Sequence, residues 1–381
     1  MTGSFRVLVG LPSLNEADSI AAVTRDLDRA LTTLPFPTEA LLVNADNSST
    51  DGTAAAFSSV PTANPKTTLT TPYRAGKGTN WQTLLRYALD YAADAVLFVD
   101  TDLAAVPESW VHGLLGAVRN GADYCYPLRP PTWNGGDLTY QLAYPLLAGV
   151  FGADLREPLC GDIAVSAEAV RSLLDQEWTP DELRFGVDFL AASLAVTGSW
   201  TTSTLTERRR NKLRSFSAEP TGDYRMGAKF KEVSGAIRHR IRQRLQSPPP
   251  AVLTPSPANT PVDSTLIVPD TDPDITKLAV STSRRLRGEW SAIPAPLAQR
   301  LSAHANSDAV TRGLGWDDWR DCLFAWITQP EEFPPELLET LFLNRVVGHH
   351  TEIAGTAGWY ATVRDQAHDV FAHRHALWAE T

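Results

Sequence analysis

"RAGKGTNWQTLLRYALDYAADAVLFVDTDL", residues 74–103, decides the fold. It opens on a polar loop with glycines at 76 and 78. Leu84, Leu85, Ala88 and Tyr91 then recur at helical spacing. Ala95–Val99 is an unbroken apolar run, as expected of a strand buried on both faces. The run ends on Asp100 and, two residues later, Asp102. Loop, helix, buried strand and acids form one step of a parallel sheet covered by helices, and such sheets bind ligands at the carboxyl ends of their strands. Two carboxylates there repel unless a cation or donors neutralise them. Their hard oxygens suit Mg2+ or Mn2+, ions that share their shell with substrate phosphates. Taken alone, the pair also reads as a strand cap followed by a solvated turn.

Working outward, the same grammar repeats. "FRVLVGLP" (5–12) is a strand that stops at Pro12, and "NEADSIAAVTRDLDRALTTL" (15–34) predicts a helix with Ile20, Val23, Leu27 and Leu31 on one face. "EALLVNA" (39–45) is a second buried strand, "DNSSTDGT" (46–53) a polar turn into a short helix, and "TTLTTP" (67–72) a third strand. Downstream, "PESWVHGLLGAVRNG" and "SAEAVRSLLDQ" read as helices and "ADYCYPLRPP" as a further strand. The spacing therefore predicts an α/β domain over residues 1–246. Residues 247–274, rich in Pro, Ser and Thr, read as a linker or mobile loop. Residues 275–381 read as a helical C-terminal unit that packs on the first domain or makes a homo-oligomer contact.

Composition narrows the classes. The 381 residues are 43 % hydrophobic, enough for a sizeable core. Asp and Glu number 44 against 34 Lys and Arg, a net charge of −10, which disfavours nucleic acid as a partner. Cys125, Cys160 and Cys322 form neither a disulfide framework nor a zinc motif, which fits a reducing cytoplasm. The first residues carry no signal-peptide pattern. "YQLAYPLLAGVFG" (140–152) is short for a transmembrane segment and holds Pro145, so a buried or amphipathic segment is expected.

Several strand-end groups invite chemistry. Lys77 brings a compact positive charge between two glycines that allow close backbone approach, just before a helix whose N-terminal amides favour anions. The loop has neither Walker A nor GxGxxG spacing. "LPSLNE" (11–16) and "DNSSTDGT" end the first two strands with groups suited to a nucleobase and ribose, although the same residues are ordinary in turns and caps. "LTERRRNKLRSFSAEPTGDYRMG" (205–227) is a basic loop suited to a diphosphate, whereas "RHRIRQR" (238–244) is expected to be a solvated face.

In this order, "LPSLNE", "DNSSTDGT", "GKG" and "FVDTDL" resemble the nucleotide-sugar half of glycosyltransferases with the GT-A fold, over roughly residues 5–240. "EPLCGDIAVSAEAV" (157–170), "ELRFGVDFLAAS" (182–193) and "LLETLFLNRVVGHH" add resemblance to retaining mannosylglycerate and glucosyl-3-phosphoglycerate synthases. That resemblance implies a Rossmann-like, mostly parallel sheet and a donor site at Leu11, Pro12, Glu16, Asp46, Gly76, Lys77, Asp100 and Thr101. It implies Asp102 as the cation ligand, and Asp188 and Asp162 at the reaction centre. It also implies Arg129, Leu159, Cys160 and Gly161 near the acceptor, with Arg156 a weaker candidate; "RPPTWNGGD" (129–137) departs from the family, and its Trp133 is a further acceptor-side candidate, while the charges of Arg208, Arg210, Lys212 and Arg214 suit a clamp on the leaving diphosphate. The family's histidine metal ligand is missing from the basic loop; Asn211 stands near its place. GDP-mannose and glycerate follow from the mannosylglycerate group, and UDP- or GDP-glucose with 3-phosphoglycerate from its relatives. Trp133 in "RPPTWNGGD" also suits a manno-oligosaccharide acceptor. A sugar-phosphate nucleotidyltransferase and a non-catalytic nucleotide-sugar binder are the competing classes.

Overall fold

The computed structural model describes residues 4–72, 74–128, 136–205, 226–255, 273–286, 295–329 and 333–379. The chain divides into two compact units: Met1–Pro130, Arg156–Ser215 and Ser256–Thr260 form the first, and Pro131–Leu155, Phe216–Pro255 and Pro261–Thr381 the second. The cut is thus not a single one near residue 246, because the apolar segment at 140–152 and the helix after residue 227 group with the C-terminal helices.

The first unit is built on strands β1 (Phe5–Ser13), β2 (Thr38–Asp46), β3 (Lys66–Thr70), β4 (Ala95–Phe98), β5 (Tyr124–Pro127), β6 (Ile163–Ser166) and β7 (Thr202–Leu205). Their order is β3-β2-β1-β4-β6-β5-β7. All neighbours pair in parallel except β6, which is antiparallel to both β4 and β5. Helices α1 (Ile20–Thr32), α2 (Thr53–Ser59) and α4 (Glu108–Arg119) cover one face, closing over Val7, Val9, Leu11, Leu97 and Val99. Helix α3 (Lys77–Asp90) lies on the other face, where Trp81 stacks on Phe98 with ring centroids 3.8 Å apart. Helices α6 (Ala167–Leu174) and α7 (Val187–Thr197) complete the unit, and α5 (Tyr144–Leu146) lies in the second unit.

Two boundaries differ from the periodicity. Helix α1 starts at Ile20 rather than Asn15, because the main-chain N–H groups of Asn15, Glu16 and Ala17 are committed across the loop to Ser49, Thr53 and Asp51. Helix α3 starts at Lys77, so the glycine loop supplies its first turn. Strands β6 and β7 and helix α7 have no clear counterpart in the sequence pattern: β6 is reversed, and β7, "TSTL", has no apolar run.

On the edge, Lys66 caps the end of α2: its ammonium donates to the carbonyls of Phe57 at 2.8 Å, Ser58 at 2.9 Å and Val60. A cation on the last carbonyls of a helix offsets its negative end. Lys66→Met is expected to lower the unfolding free energy by about 1–2 kcal/mol in urea denaturation.

In the second unit, the apolar segment forms α5 (Tyr144–Leu146) between π-helical turns Thr139–Ala143 and Leu147–Phe151, and all thirteen residues are buried. No described helix is long and apolar enough to cross a membrane. Helices α8 (Ala228–Leu245), α9 (Pro273–Arg285), α10 (Ala295–Ala305), α11 (Trp316–Thr328), α12 (Pro335–Ile353), α13 (Trp359–His373) and α14 (His375–Ala379) complete it. Arg345, fully buried on α12, is held by Gln141 Oε1 at 2.9 Å, Leu314 O at 2.8 Å and both oxygens of Glu352 at 2.6 Å. The basic run on α8 is not wholly solvated: Arg240 is buried, because it shares the helix face of Val233, Ile237 and Ile241. Nor is the start of the expected linker free, since Thr254 exchanges backbone hydrogen bonds with Gly152 and Asp154. Residues 256–272 lie outside the described residues. Cys125, Cys160 and Cys322 are buried, and none forms a disulfide.

Candidate functional site

The carboxyl ends of β1, β2 and β4 deliver Pro12–Asn15, Asp46–Ser49 and Asp100–Asp102 to one edge of the sheet. A polar lattice binds these loops together. Ser13 Oγ donates to Asn44 Oδ1 at 2.7 Å, and Asp46 accepts from the N–H of Ser49 at 3.1 Å and from its hydroxyl. Thr71 Oγ1 donates to Asn47 Oδ1 at 2.7 Å, and Asn80 Nδ2 donates to Ser13 O at 3.4 Å. Asp46 is only 4 % exposed, so it organises the turn from within. Asn15 and Ser48 sit here with φ of 57° and 54°, and Arg74, before the glycine loop, with 53°. Non-glycine residues pay strain in that left-handed region, and such strain gathers at functional sites.

The glycine loop behaves differently from its reading as a ligand cradle. A Cβ on Gly76 would stand 2.5 Å from the carbonyl oxygen of Leu183, and one on Gly78 would stand 2.0 Å from that of Glu182. The N–H groups of Gly78 and Thr79 donate to Arg184 O and Leu183 O, both at 2.9 Å. The close approach is therefore to the protein's own 182–184 segment, which takes up first-turn amides that an anion would otherwise meet. That segment is fixed in turn by a reciprocal cap: Thr179 N–H donates to Glu182 Oε2 at 2.8 Å, and Glu182 N–H to Thr179 Oγ1 at 3.3 Å.

This docking sets Lys77 between two acids. Its ammonium lies 3.0 Å from Asp100 Oδ1 and 3.0 Å from Asp188 Oδ1, with the side chains of all three 10–12 % exposed. Burial opposes the lysine charge, but the carboxylates of Asp100 and Asp188 outweigh it and hold its pKa above the ordinary lysine value. The ammonium also stands 5.9 Å above the Trp81 ring. Gly161 presses on the pair from the segment before β6: a Cβ there would lie 2.1 Å from Lys77 Nζ and 2.9 Å from Asp100 Oδ1. Asp162 is fully buried, and its Oδ1 accepts the main-chain N–H of Asp100 at 2.7 Å.

Of the residues singled out in the sequence, Lys77, Asp100, Gly161, Asp162 and Asp188 thus come together. Thr101 is buried beside them, with its hydroxyl 3.4 Å from Pro12 O, and Asp102 is half-buried two residues past Asp100. Leu11, Pro12, Cys160 and Arg156 are buried, while Glu16 and Leu159 are half-buried. Arg129, Trp133, Arg208, Arg210, Asn211, Lys212 and Arg214 lie outside the described residues. Ser13, Ser49 and Glu182 lie within the quoted motifs but were not singled out, and Asn44, Thr71 and Asn80 were missed; short polar residues beside strand ends were the available signal, and they are common in any turn.

Among the described residues no group of three or more His, Cys, Asp or Glu side chains forms a closed cation cage. The donor set fits an open site instead. Asp102 offers hard oxygens at the strand-end edge, beside the Asp100–Asp188 pair that shares the Lys77 ammonium. Mg2+ is commonly held in this way, by one or two carboxylates with substrate phosphates and waters.

A mostly parallel sheet with one reversed strand, polar loops at its carboxyl edge and an added helical region is the GT-A fold. Residues 8–157 match the family described as glycosyl transferase family 2. No curated protein matches the chain. A solved structure of a mycobacterial protein is 23 % identical with a TM-score of 0.50, over 63 % of this chain and 76 % of that one. Glucosyl-3-phosphoglycerate synthase from Mycobacterium tuberculosis, in complex with Mg2+ and UDP, is 22 % identical with a TM-score of 0.48, over 62 % of this chain and 79 % of that one. The same enzyme with Mn2+, UDP-glucose and phosphoglyceric acid matches at 20 % identity with the same TM-score of 0.48 and coverages of 62 % and 79 %.

Proposed function

We propose that the protein is a retaining, metal-dependent α-glycosyltransferase that moves a hexose from a nucleoside diphosphate to a hydroxyl of a small acidic acceptor. The observation that carries this reading is the meeting of the Asp100–Asp102 turn with Lys77 and Asp188 at the edge where the strand-end loops converge. Breaking the anomeric C–O bond builds oxocarbenium character on the sugar and negative charge on the diphosphate. Fixed positive charge at that oxygen is the largest expected source of acceleration. A divalent cation, when bound, supplies Lewis-acid stabilisation of the leaving diphosphate. Asp102 would hold it, with Asn211 in place of the family's histidine, and the arginines of the basic loop would share the charge. Asp188, held by Lys77, is assigned to orient the acceptor hydroxyl. With the configuration retained, the leaving phosphate takes up the acceptor proton on the same face. GDP-mannose and glycerate are the proposed pair; UDP- or GDP-glucose, 3-phosphoglycerate and short mannosides are the competing substrates.

The test is a crossed panel of GDP-mannose, GDP-glucose and UDP-glucose against glycerate, 3-phosphoglycerate and short mannosides, with Mg2+ or Mn2+. Wild type is expected to turn over one pair with retention. Asp102→Ala is expected to lose at least about 100-fold in kcat/KM. Equal inertness of both proteins across the panel would leave a nucleotide-sugar binder in place of an enzyme. Turnover with 3-phosphoglycerate alone would replace glycerate as the acceptor.

A further inference from the structure

We infer that Asp162, which the resemblance implied at the reaction centre, is instead a positioning residue whose carboxylate sets the Asp100–Asp102 turn and does not touch substrate. The inference rests on the glycosyl-transfer reading for its kinetic consequence, and on geometry alone for its structural one.

Strand β6 enters the sheet antiparallel to β4, with Ile163 opposite Phe98, so the residue before β6 arrives beside the end of β4. That residue is Asp162. Its Oδ1 takes the N–H of Asp100 at 2.7 Å, the short separation of a charge-assisted bond. Flanking contacts fasten the rest of the turn. Val99 N–H donates to Gly10 O at 3.0 Å, Thr101 Oγ1 lies 3.4 Å from Pro12 O, and Gly161 packs on the Asp100 carboxylate. The turn is thereby held at three consecutive residues, and Asp102 is the first acid beyond them. Asp162 itself is 0 % exposed, with protein on every side. A group so placed acts on chemistry through the turn it holds. The Asp100–Asp162 bond spans 62 positions of the chain, so it also ties the donor-side strand to the "LCGD" segment.

What the turn needs from residue 162 is an acceptor oxygen. Asp162→Asn keeps one and removes the charge; Asp162→Ala removes both. Asp162→Asn is expected to retain kcat/KM within about fivefold. Asp162→Ala is expected to lose about 100-fold, the cost of a misplacement near 1 Å, and to bind Mn2+ with UDP or GDP at least about tenfold more weakly by electron paramagnetic resonance. Exchange of the Asp100 amide, followed by NMR in aspartate-labelled protein, supplies a readout free of turnover. It is expected to be slow in wild type and Asp162→Asn and at least tenfold faster in Asp162→Ala. If Asp162→Asn is folded, keeps its slow Asp100 amide and is nevertheless inactive, the carboxylate acts on the substrate and the inference is overturned. Equally rapid Asp100 exchange in wild type and both variants also overturns it. If Asp162→Ala does not fold, the Asn variant alone decides between these outcomes. If no donor is turned over by any form, glycosyl transfer fails while the exchange data still judge Asp162.

Discussion

Lys77→Met is expected to cost the protein about 3–5 kcal/mol of unfolding free energy, the usual penalty for removing one partner of a buried ion pair, and to reduce glycosyl transfer by at least about 100-fold. The ammonium lies 3.0 Å from both Asp100 and Asp188, and little of any of the three side chains meets water. Without it, two carboxylates lose the ammonium that lies between them in a site of low polarity. Donor affinity separates this role from a direct grip on the nucleotide. If Lys77 chiefly sets Asp188, kcat falls and the dissociation constant of UDP or GDP changes little; if it chiefly holds phosphate, nucleotide affinity falls first. Urea denaturation and nucleotide titration of the same variant measure both. A variant as stable as wild type would show that the triad gives no net stabilisation. The sign with pH follows from the raised lysine pKa. The contribution of Lys77 is complete below the unfolded value near about 10.4 and declines only as pH rises through the higher folded value.

Gly78→Ala should also do large damage. Gly78 lies in the first turn of α3, where alanine would ordinarily favour a helix by about 1 kcal/mol. The new methyl would sit 2.0 Å from Glu182 O and 2.8 Å from the backbone carbons of Leu183. Those atoms are main chain and cannot swing aside as a side chain would. Overpacking of this kind costs about 1–3 kcal/mol or more, so the net change is destabilising despite the helix preference. Pushing the 182–184 segment away would also part Lys77 from Asp188, because α7 begins at Val187 directly after it. The expected result is a lower denaturation midpoint together with at least about a tenfold loss of transfer. An alanine variant more stable than wild type would mean that this junction yields easily.

These two cases mark how far the sequence could be read. The alternation of apolar runs and helical stripes was legible through β4, because each element reports its own burial at short range. Strand ends bearing Pro12, Asp46 and Asp100 followed from the rule that parallel sheets bind ligands at their carboxyl edge. Strands β6 and β7 were not legible although they are as long as β4: β6 runs antiparallel, outside the strand–helix–strand grammar, and β7, "TSTL", lacks the apolar run that marked β4. The GKG stretch was legible as a place needing glycine, but its partner was not.

By itself, then, the sequence determined the α/β order, the acids at the end of β4 and the need for small residues beside Lys77. Tertiary structure alone decided what those residues meet. Lys77 and Asp188 are 111 positions apart, and Asp100 and Asp162 are 62 apart. Local propensity carries no term for such pairs. They arise because β6 runs back between β4 and β5 and brings "LCGD" to the end of β4, while the capped Thr179–Glu182 turn presses its carbonyls onto the start of α3.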